Sequence, residues 1–220
     1  MIRPAYQNQP VTDKIPDQSI TADHPPIETP RFMSSPIEVE FKFPVESLVT
    51  LRETLIALGA QTSKVSEQVD EYFNDPLRDF AKMDIALRIR QSDSNLWLTF
   101  KGPNLDPSAK IRAEIETPLV DQAAAEQIKQ TFIGIGYFSV ARVAKQRETL
   151  SLEWEGQHVE VCLDTVAEVG EFAELELVVE SAAEQDAAKQ VLESLADKLG
   201  LSGSIRTSYL ELLLQSRGEI

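Results

Sequence analysis

Residues 37–43 read IEVEFKF, so a two-residue period sets Ile37, Val39, Phe41 and Phe43 on one side and Glu38, Glu40 and Lys42 on the other. Side chains at i and i+2 of a strand share a face about 6.6 Å apart, and a strand built here carries three ionised groups in a row. The same split recurs along the chain. Ile85, Leu87 and Ile89 oppose Ala86, Arg88 and Arg90, while Leu96, Leu98 and Phe100 oppose Trp97, Thr99 and Lys101. Ile111, Ala113 and Ile115 oppose Arg112, Glu114 and Glu116. Further on, one face carries Lys145 and Arg147, another Glu160, Cys162 and Asp164, and a third Phe172, Glu174 and Glu176 against Ala173, Leu175, Leu177 and Val179.

A solvated sheet face explains any one of these strands. It explains all seven poorly, because a wet face has no need of Arg-x-Arg, Lys-x-Arg, Glu-x-Glu and Glu-x-Glu-x-Lys runs, in which neighbouring like charges repel. Those runs call for opposite charge between them, from a neighbouring strand or from a ligand. In a sheet closed into a barrel with its apolar side toward surrounding helices, the charged faces line the interior, where an unpaired ion costs several kcal/mol. Mutual salt bridging accounts for part of the set. A polyphosphate with divalent ions accounts for the doubling of both signs: Arg and Lys bond phosphate oxygens, and paired carboxylates hold Mg²⁺ or Mn²⁺. Carboxylate ligands without His or Cys favour such hard ions over zinc.

The rest of the chain is consistent with this. Its 220 residues allow one sizeable core, and a net charge of −15 argues against a nucleic-acid partner, so an anionic ligand must meet a local basic cluster. Cys162 is the single cysteine and His24 and His158 are the two histidines, which excludes an intramolecular disulfide and leaves no basis for a His triad or zinc site. A reducing, cytoplasmic setting fits. No apolar run of about 18 residues suggests a membrane span. Residues 1–35, with Pro4, Pro10, Pro16, Pro25, Pro26 and Pro30, read as a disordered leader, and 36–220 as the folded domain. Period-two segments predict strands at 36–43, 67–74, 84–91, 95–101, 110–117, 143–153, 157–164 and 171–180. Helices are predicted from Pro44 to Gly59, from an Asp121 cap, from a Ser181/Glu184 capping box to Gly200, and from a Thr207 cap. The class is α+β, with the helices at 46–58 and 182–199 covering the apolar outside of the barrel.

In order, Glu38-x-Glu40-x-Lys42, VDEYFNDP, ALRIR, WLTFKGP, RAEIE, Lys145-x-Arg147, Asp164, ELE at 174–176 and SYLELL resemble the CYTH superfamily, the triphosphate tunnel metalloenzymes. The wording is most similar to the class IV adenylate cyclase-like branch. The resemblance implies an eight-stranded antiparallel tunnel with a triphosphate inside. It implies that Lys42, Arg88, Arg90, Lys101, Lys145 and Arg147 bind the triphosphate, with Arg112 beside them. Glu38, Glu40, Glu174 and Glu176 would hold Mg²⁺ or Mn²⁺, with Asp164 as a further ligand or polar partner, and Lys42, Glu40 and Asp164 would carry the chemical step. Glu114, Glu116 and Glu160 would line the tunnel.

Three activities fit these residues: a cyclase converting ATP to cyclic AMP and pyrophosphate, a triphosphatase acting on tripolyphosphate or an organic triphosphate, and a non-catalytic polyphosphate-binding module. The first is the leading expectation from the resemblance to the cyclase-like branch; the tunnel residues alone do not choose between the first two, and paired carboxylates weigh against the third, since binding alone has no need of them. A cyclase also needs a nucleoside pocket, for which Trp97, Tyr72 and Phe73 are aromatic candidates. Ser208 and Tyr209 are expected only to start and pack the last helix. The sequence does not choose between monomer and homodimer.

Overall fold

In the computed structural model, residues 37–104, 110–112 and 114–220 are described, and the leader expected at 1–35 lies outside them. The strands are β1 (Ile37–Pro44), β2 (Gln61–Asn74), β3 (Ala86–Ser92), β4 (Asn95–Lys101), β5 (Lys110–Arg112), β6 (Glu114–Leu119), β7 (Phe138–Trp154), β8 (Gln157–Val166) and β9 (Gly170–Val179). All pairings are antiparallel, in the order β5-β1-β9-β8-β7-β2-β3-β4-β6. β5 and β6 are the two parts of the strand expected at 110–117, so the sheet is eight-stranded as predicted. One part pairs with β1 and the other with β4, and the sheet curls until Lys101 of β4 and Glu38 of β1 lie 3.8 Å apart.

Four α-helices among the described residues pack around this sheet: α1 (Leu48–Ala57), α2 (Gln122–Gly134), α3 (Gln185–Leu199) and α4 (Tyr209–Ser216). α1 and α3 bury Leu51, Leu55, Ala188, Leu192 and Leu195 against Val39, Phe41, Phe43, Val161, Leu175 and Leu177. Each fully buried Leu contributes about 1.5–3 kcal/mol of transfer free energy, so the apolar strand faces are held outward by helix cover. α2 does the same for β2–β4 through Ala125, Ile128 and Phe132, against Phe73, Ile89 and Leu96. α4 packs instead among Tyr72, Ala141, Val143, Val166 and Phe172. Those residues share the charged face of their strands, so α4 sits over one end of the curled interior. None of the helices is long and apolar enough to cross a membrane.

Several boundaries differ from expectation for local reasons. β2 begins at Gln61, not 67, because residues 61–65 are exposed and carry no periodic signal; pairing with the longer β7 holds them. β3 starts at Ala86, not 84, after Asp84 turns into the left-handed region at φ 52°. Pro44 ends β1, and Ser47 caps α1, accepting from the Thr50 N–H. The Ser181 side chain makes no cap bond, and a short 3₁₀ turn precedes α3; Glu184 accepts from the Glu180 N–H instead. Ser208, not Thr207, caps α4, in a reciprocal capping box with Glu211. Asp121 caps α2 as predicted, and Gly200 closes α3 at φ 70°.

Candidate active site

Because β1, β3, β4 and β7–β9 turn their apolar residues toward helices, their alternate residues converge on a cavity of about 540 Å³. Glu38, Glu40 and Lys42 of β1, Arg88 and Arg90 of β3, Lys101 of β4 and Arg112 of β5 line it. So do Glu114 and Glu116 of β6, Lys145 and Arg147 of β7, and Glu174 and Glu176 of β9. Two of the residues singled out in the sequence lie elsewhere: Glu160 is exposed beyond the lining, and Asp164 is fully buried beneath it.

Around Asp164 the charges form one network. Lys145 reaches its carboxylate at 2.9 Å, Arg147 donates to both oxygens at 2.7 and 2.5 Å, and the Tyr209 hydroxyl donates at 2.9 Å. Both oxygens of Asp164 are thus committed to holding cations in place. Arg147 also pairs with Glu174 and, at 3.5 Å, with Glu176. Lys42 is 2% exposed, pairs with Glu174 at 3.2 Å and Glu40 at 3.8 Å, and lies 4.0 Å from the centre of the Tyr209 ring. Burial, with Arg147 alongside, pulls the Lys145 ammonium down to about 8 despite the Asp164 and Glu174 carboxylates. Burial also pushes the lone Cys162 thiol up, which leaves it an unreactive strand residue.

A second network fills the opposite wall. Arg90 donates two bonds to Asp70, at 2.7 and 2.8 Å, and Arg88 one, at 3.2 Å; Arg88 also lies 3.7 Å from Glu114. Lys101 bridges Glu114 at 2.5 Å and Glu38 at 3.8 Å, and Thr99 donates to Glu116 at 3.1 Å. Burial alone would raise the Asp70 carboxyl, but Arg88 and Arg90 overcome it and hold the group well below the usual carboxylate range. Sequence reasoning missed Asp70. Its signal is Gln68, Asp70 and Tyr72 against Val69, Glu71 and Phe73, blurred because the outward face also carries an acid, Glu71, which pairs with Lys129 on α2 at 3.0 Å.

The carboxylate set suits a hard divalent ion. Glu40 stands directly opposite Glu176 across β1 and β9, a like-charge pairing that destabilises a sheet unless a cation relieves it. Burial, and Glu38 next, push the Glu176 carboxyl well up against the pull of Arg147; burial likewise raises Glu38 despite Lys101. Four glutamates with oxygen donors alone match Mg²⁺ or Mn²⁺ chemistry. In the present arrangement no three Asp, Glu, His or Cys among the described residues form a ready cation cage, the acids being turned toward Lys42, Lys101 and Arg147.

Toward α4 and the β2–β3 connection apolar residues enter the lining, with Phe80, Ile85, Ala86, Leu210 and Leu214 set among the polar Asn74, Asp79, Asp84, Arg206 and Glu211. Of the aromatic candidates, Tyr72 lies in this wall with its hydroxyl 3.4 Å from Arg88. Phe73 also borders the cavity while packing edge-on to Phe132 of α2, and Trp97 is half-buried outside the lining.

A family model described as CYTH domain matches residues 36–209. MJ0240 of Methanocaldococcus jannaschii, named as a candidate adenylate cyclase, is 36% identical over 178 residues, which span 80% of this chain and 98% of that protein. Adenylate cyclase CyaB of Aeromonas hydrophila is 30% identical over 185 residues, or 81% of this chain and 90% of that one. Among solved structures, the PH1819 protein of Pyrococcus horikoshii superposes with a TM-score of 0.73 at 33% identity, covering 82% of this chain and 99% of its own.

Proposed function

The chain belongs to the CYTH domain family, and from that premise we propose that it is a divalent-metal-dependent, cytoplasmic enzyme that cyclises ATP to cyclic AMP and pyrophosphate. The observation that carries this reading is the continuity of one cavity: a wall of buried cations, a facing set of glutamates and an end where apolar residues join the lining share the same space. Arg88, Arg90, Lys101, Lys145, Arg147 and Lys42 grip the triphosphate, with Arg112 at the rim, and the adenosine lies at that end. Glu38, Glu40, Glu174 and Glu176 would hold Mg²⁺ or Mn²⁺, which would supply charge neutralisation and acidify the ribose 3′ hydroxyl. The 3′ oxygen attacks the α-phosphorus as its proton passes to water, and the bond from the α-phosphorus to the bridging oxygen breaks, with pyrophosphate leaving. Lys42, the lysine of the Glu40 strand and 2% exposed, meets the charge that develops on the phosphoryl oxygens. Asp70 and Asp164 keep the Arg and Lys side chains extended into the cavity before substrate arrives, which lowers the ordering cost of binding.

A triphosphatase reading has one observation in its favour: the charged part of the cavity is complete without the end toward α4. The same grip then presents the terminal phosphorus to water. Incubating the protein with Mg²⁺ or Mn²⁺ and either ATP or tripolyphosphate, and resolving the products, decides between them. Cyclic AMP with pyrophosphate supports the cyclase. Orthophosphate replaces it with the triphosphatase, and retention without turnover overturns both in favour of a binding module.

A further inference from the structure

Tyr209 opens α4 and is 7% exposed, with its ring edge-on to Phe172 at 5.1 Å. Packing accounts for that contact but leaves the polar ones unexplained. The hydroxyl donates to Asp164 Oδ2 at 2.9 Å, on the oxygen that also receives Lys145 and Arg147. The ring lies 4.0 Å from the Lys42 ammonium and 5.0 Å from that of Lys145. The chain just before the helix adds to this hold: the Thr207 carbonyl accepts from Lys42 Nζ at 3.4 Å, and the Ile205 N–H donates to the Lys42 carbonyl at 2.8 Å. An aromatic face attracts an ammonium most strongly where water is excluded, and Lys42 and Lys145 are 2% and 5% exposed.

We propose that Tyr209 is a positioning residue for the triphosphate grip, its ring seating the ammonium groups of Lys42 and Lys145 and its hydroxyl locking Asp164, through which Lys145 and Arg147 are aimed. The last helix therefore sets the geometry of the cationic wall as well as covering an end of the cavity. The two parts of the side chain have separable effects. The ring preorganises cations that hold the substrate before and during reaction, so its loss raises KM. The hydroxyl acts through Asp164 on the alignment of Lys145 and Arg147 at the reacting phosphates, so its loss lowers kcat.

The proposal rests on the assignment of the cavity to a triphosphate, and its test separates the two claims. Steady-state kinetics with Mn²⁺ and the triphosphate that the wild type turns over are measured for Tyr209→Phe, Tyr209→Leu and Leu213→Val, the last loosening the same helix one turn on without touching a charge. Tyr209→Phe is expected to keep KM within about twofold and lower kcat about fivefold, whereas Tyr209→Leu raises KM about tenfold in addition. Leu213→Val lowers the melting temperature and leaves KM unchanged. A Tyr209→Leu protein with wild-type KM, or a Leu213→Val protein with an equally raised KM, reduces Tyr209 to a packing residue. ¹⁵N-lysine NMR of the free protein gives an answer independent of turnover. Two ammonium or ε-methylene resonances shifted upfield by the ring are expected in the wild type and in Tyr209→Phe. Their absence from the wild type overturns the seat itself. Their presence in a protein that neither binds nor turns over ATP or tripolyphosphate leaves the seat standing and defeats the functional reading alone.

Discussion

Replacing Asp70 by Asn removes one carboxylate and leaves two guanidinium groups behind. Asp70 is 4% exposed, accepts two bonds from Arg90 and one from Arg88, and Arg88 is itself 6% exposed. Breaking a buried ion pair from one side costs about 3–5 kcal/mol, since the remaining charge stays desolvated. Glu114, 3.7 Å from Arg88, and the adjoining cavity soften the loss, which places it near the lower end, about 3 kcal/mol. At about 2–4 °C per kcal/mol for a domain of this size, the melting temperature falls by about 6–12 °C. The sign of the pH dependence follows from the depressed carboxyl. Its folded pKa lies below the unfolded value, so its contribution is complete above about pH 4 and is lost as the pH falls further. Wild type and variant should therefore converge in strong acid. Tripolyphosphate supplies negative charge to the same two arginines, and at a hundred times its dissociation constant binding restores about 2.7 kcal/mol. The assay is a thermal scan at several pH values, with and without tripolyphosphate. A variant melting within about 2 °C of wild type at pH 7 would refute the reasoning, because it would mean that Arg88 and Arg90 carry no buried charge in need of a partner.

Other consequences can be checked one by one. Glu40→Ala and Glu176→Ala should each reduce metal-dependent turnover by at least about two orders of magnitude, with melting temperatures close to wild type; full rates at saturating metal would contradict their assignment. Cys162, buried and with its thiol pushed up, should react with a thiol reagent only as the protein unfolds, so rapid labelling of the native protein would contradict its burial. Ser208→Ala removes the α4 cap and should cost about 1 kcal/mol, read as a melting temperature lowered by a few degrees.

Most of the barrel was legible because its strands break the usual pattern the same way each time. An apolar set outward against helices leaves an ionised set inward, and the two-residue period sorts them without knowledge of pairing. The period says nothing about depth along the strand. Asp164 and Glu160 share one face of β8, yet the first is fully buried beneath Lys145, Arg147 and Tyr209 while the second is exposed beyond the cavity. Nor does it reveal which acids oppose which cations: register puts Glu40 against Glu176 and Lys42 against Glu174, and that comes from the β1–β9 pairing. The role of α4 was hidden for a related reason. SYLELL reads as an amphipathic helix with a capped start, and only the tertiary fold brings Tyr209, 45 residues away in sequence, onto Asp164.

On the proposed function, the interior of this sheet is a grip for a metal-bound triphosphate. Crystals grown with Mn²⁺ and a non-hydrolysable ATP analogue test it directly. Anomalous manganese density is expected among Glu38, Glu40, Glu174 and Glu176, with the phosphates against Arg88, Arg90, Lys145 and Arg147. An interior holding neither, with those carboxylates still paired to Lys42, Lys101 and Arg147 at saturating ligand, would sink that reading.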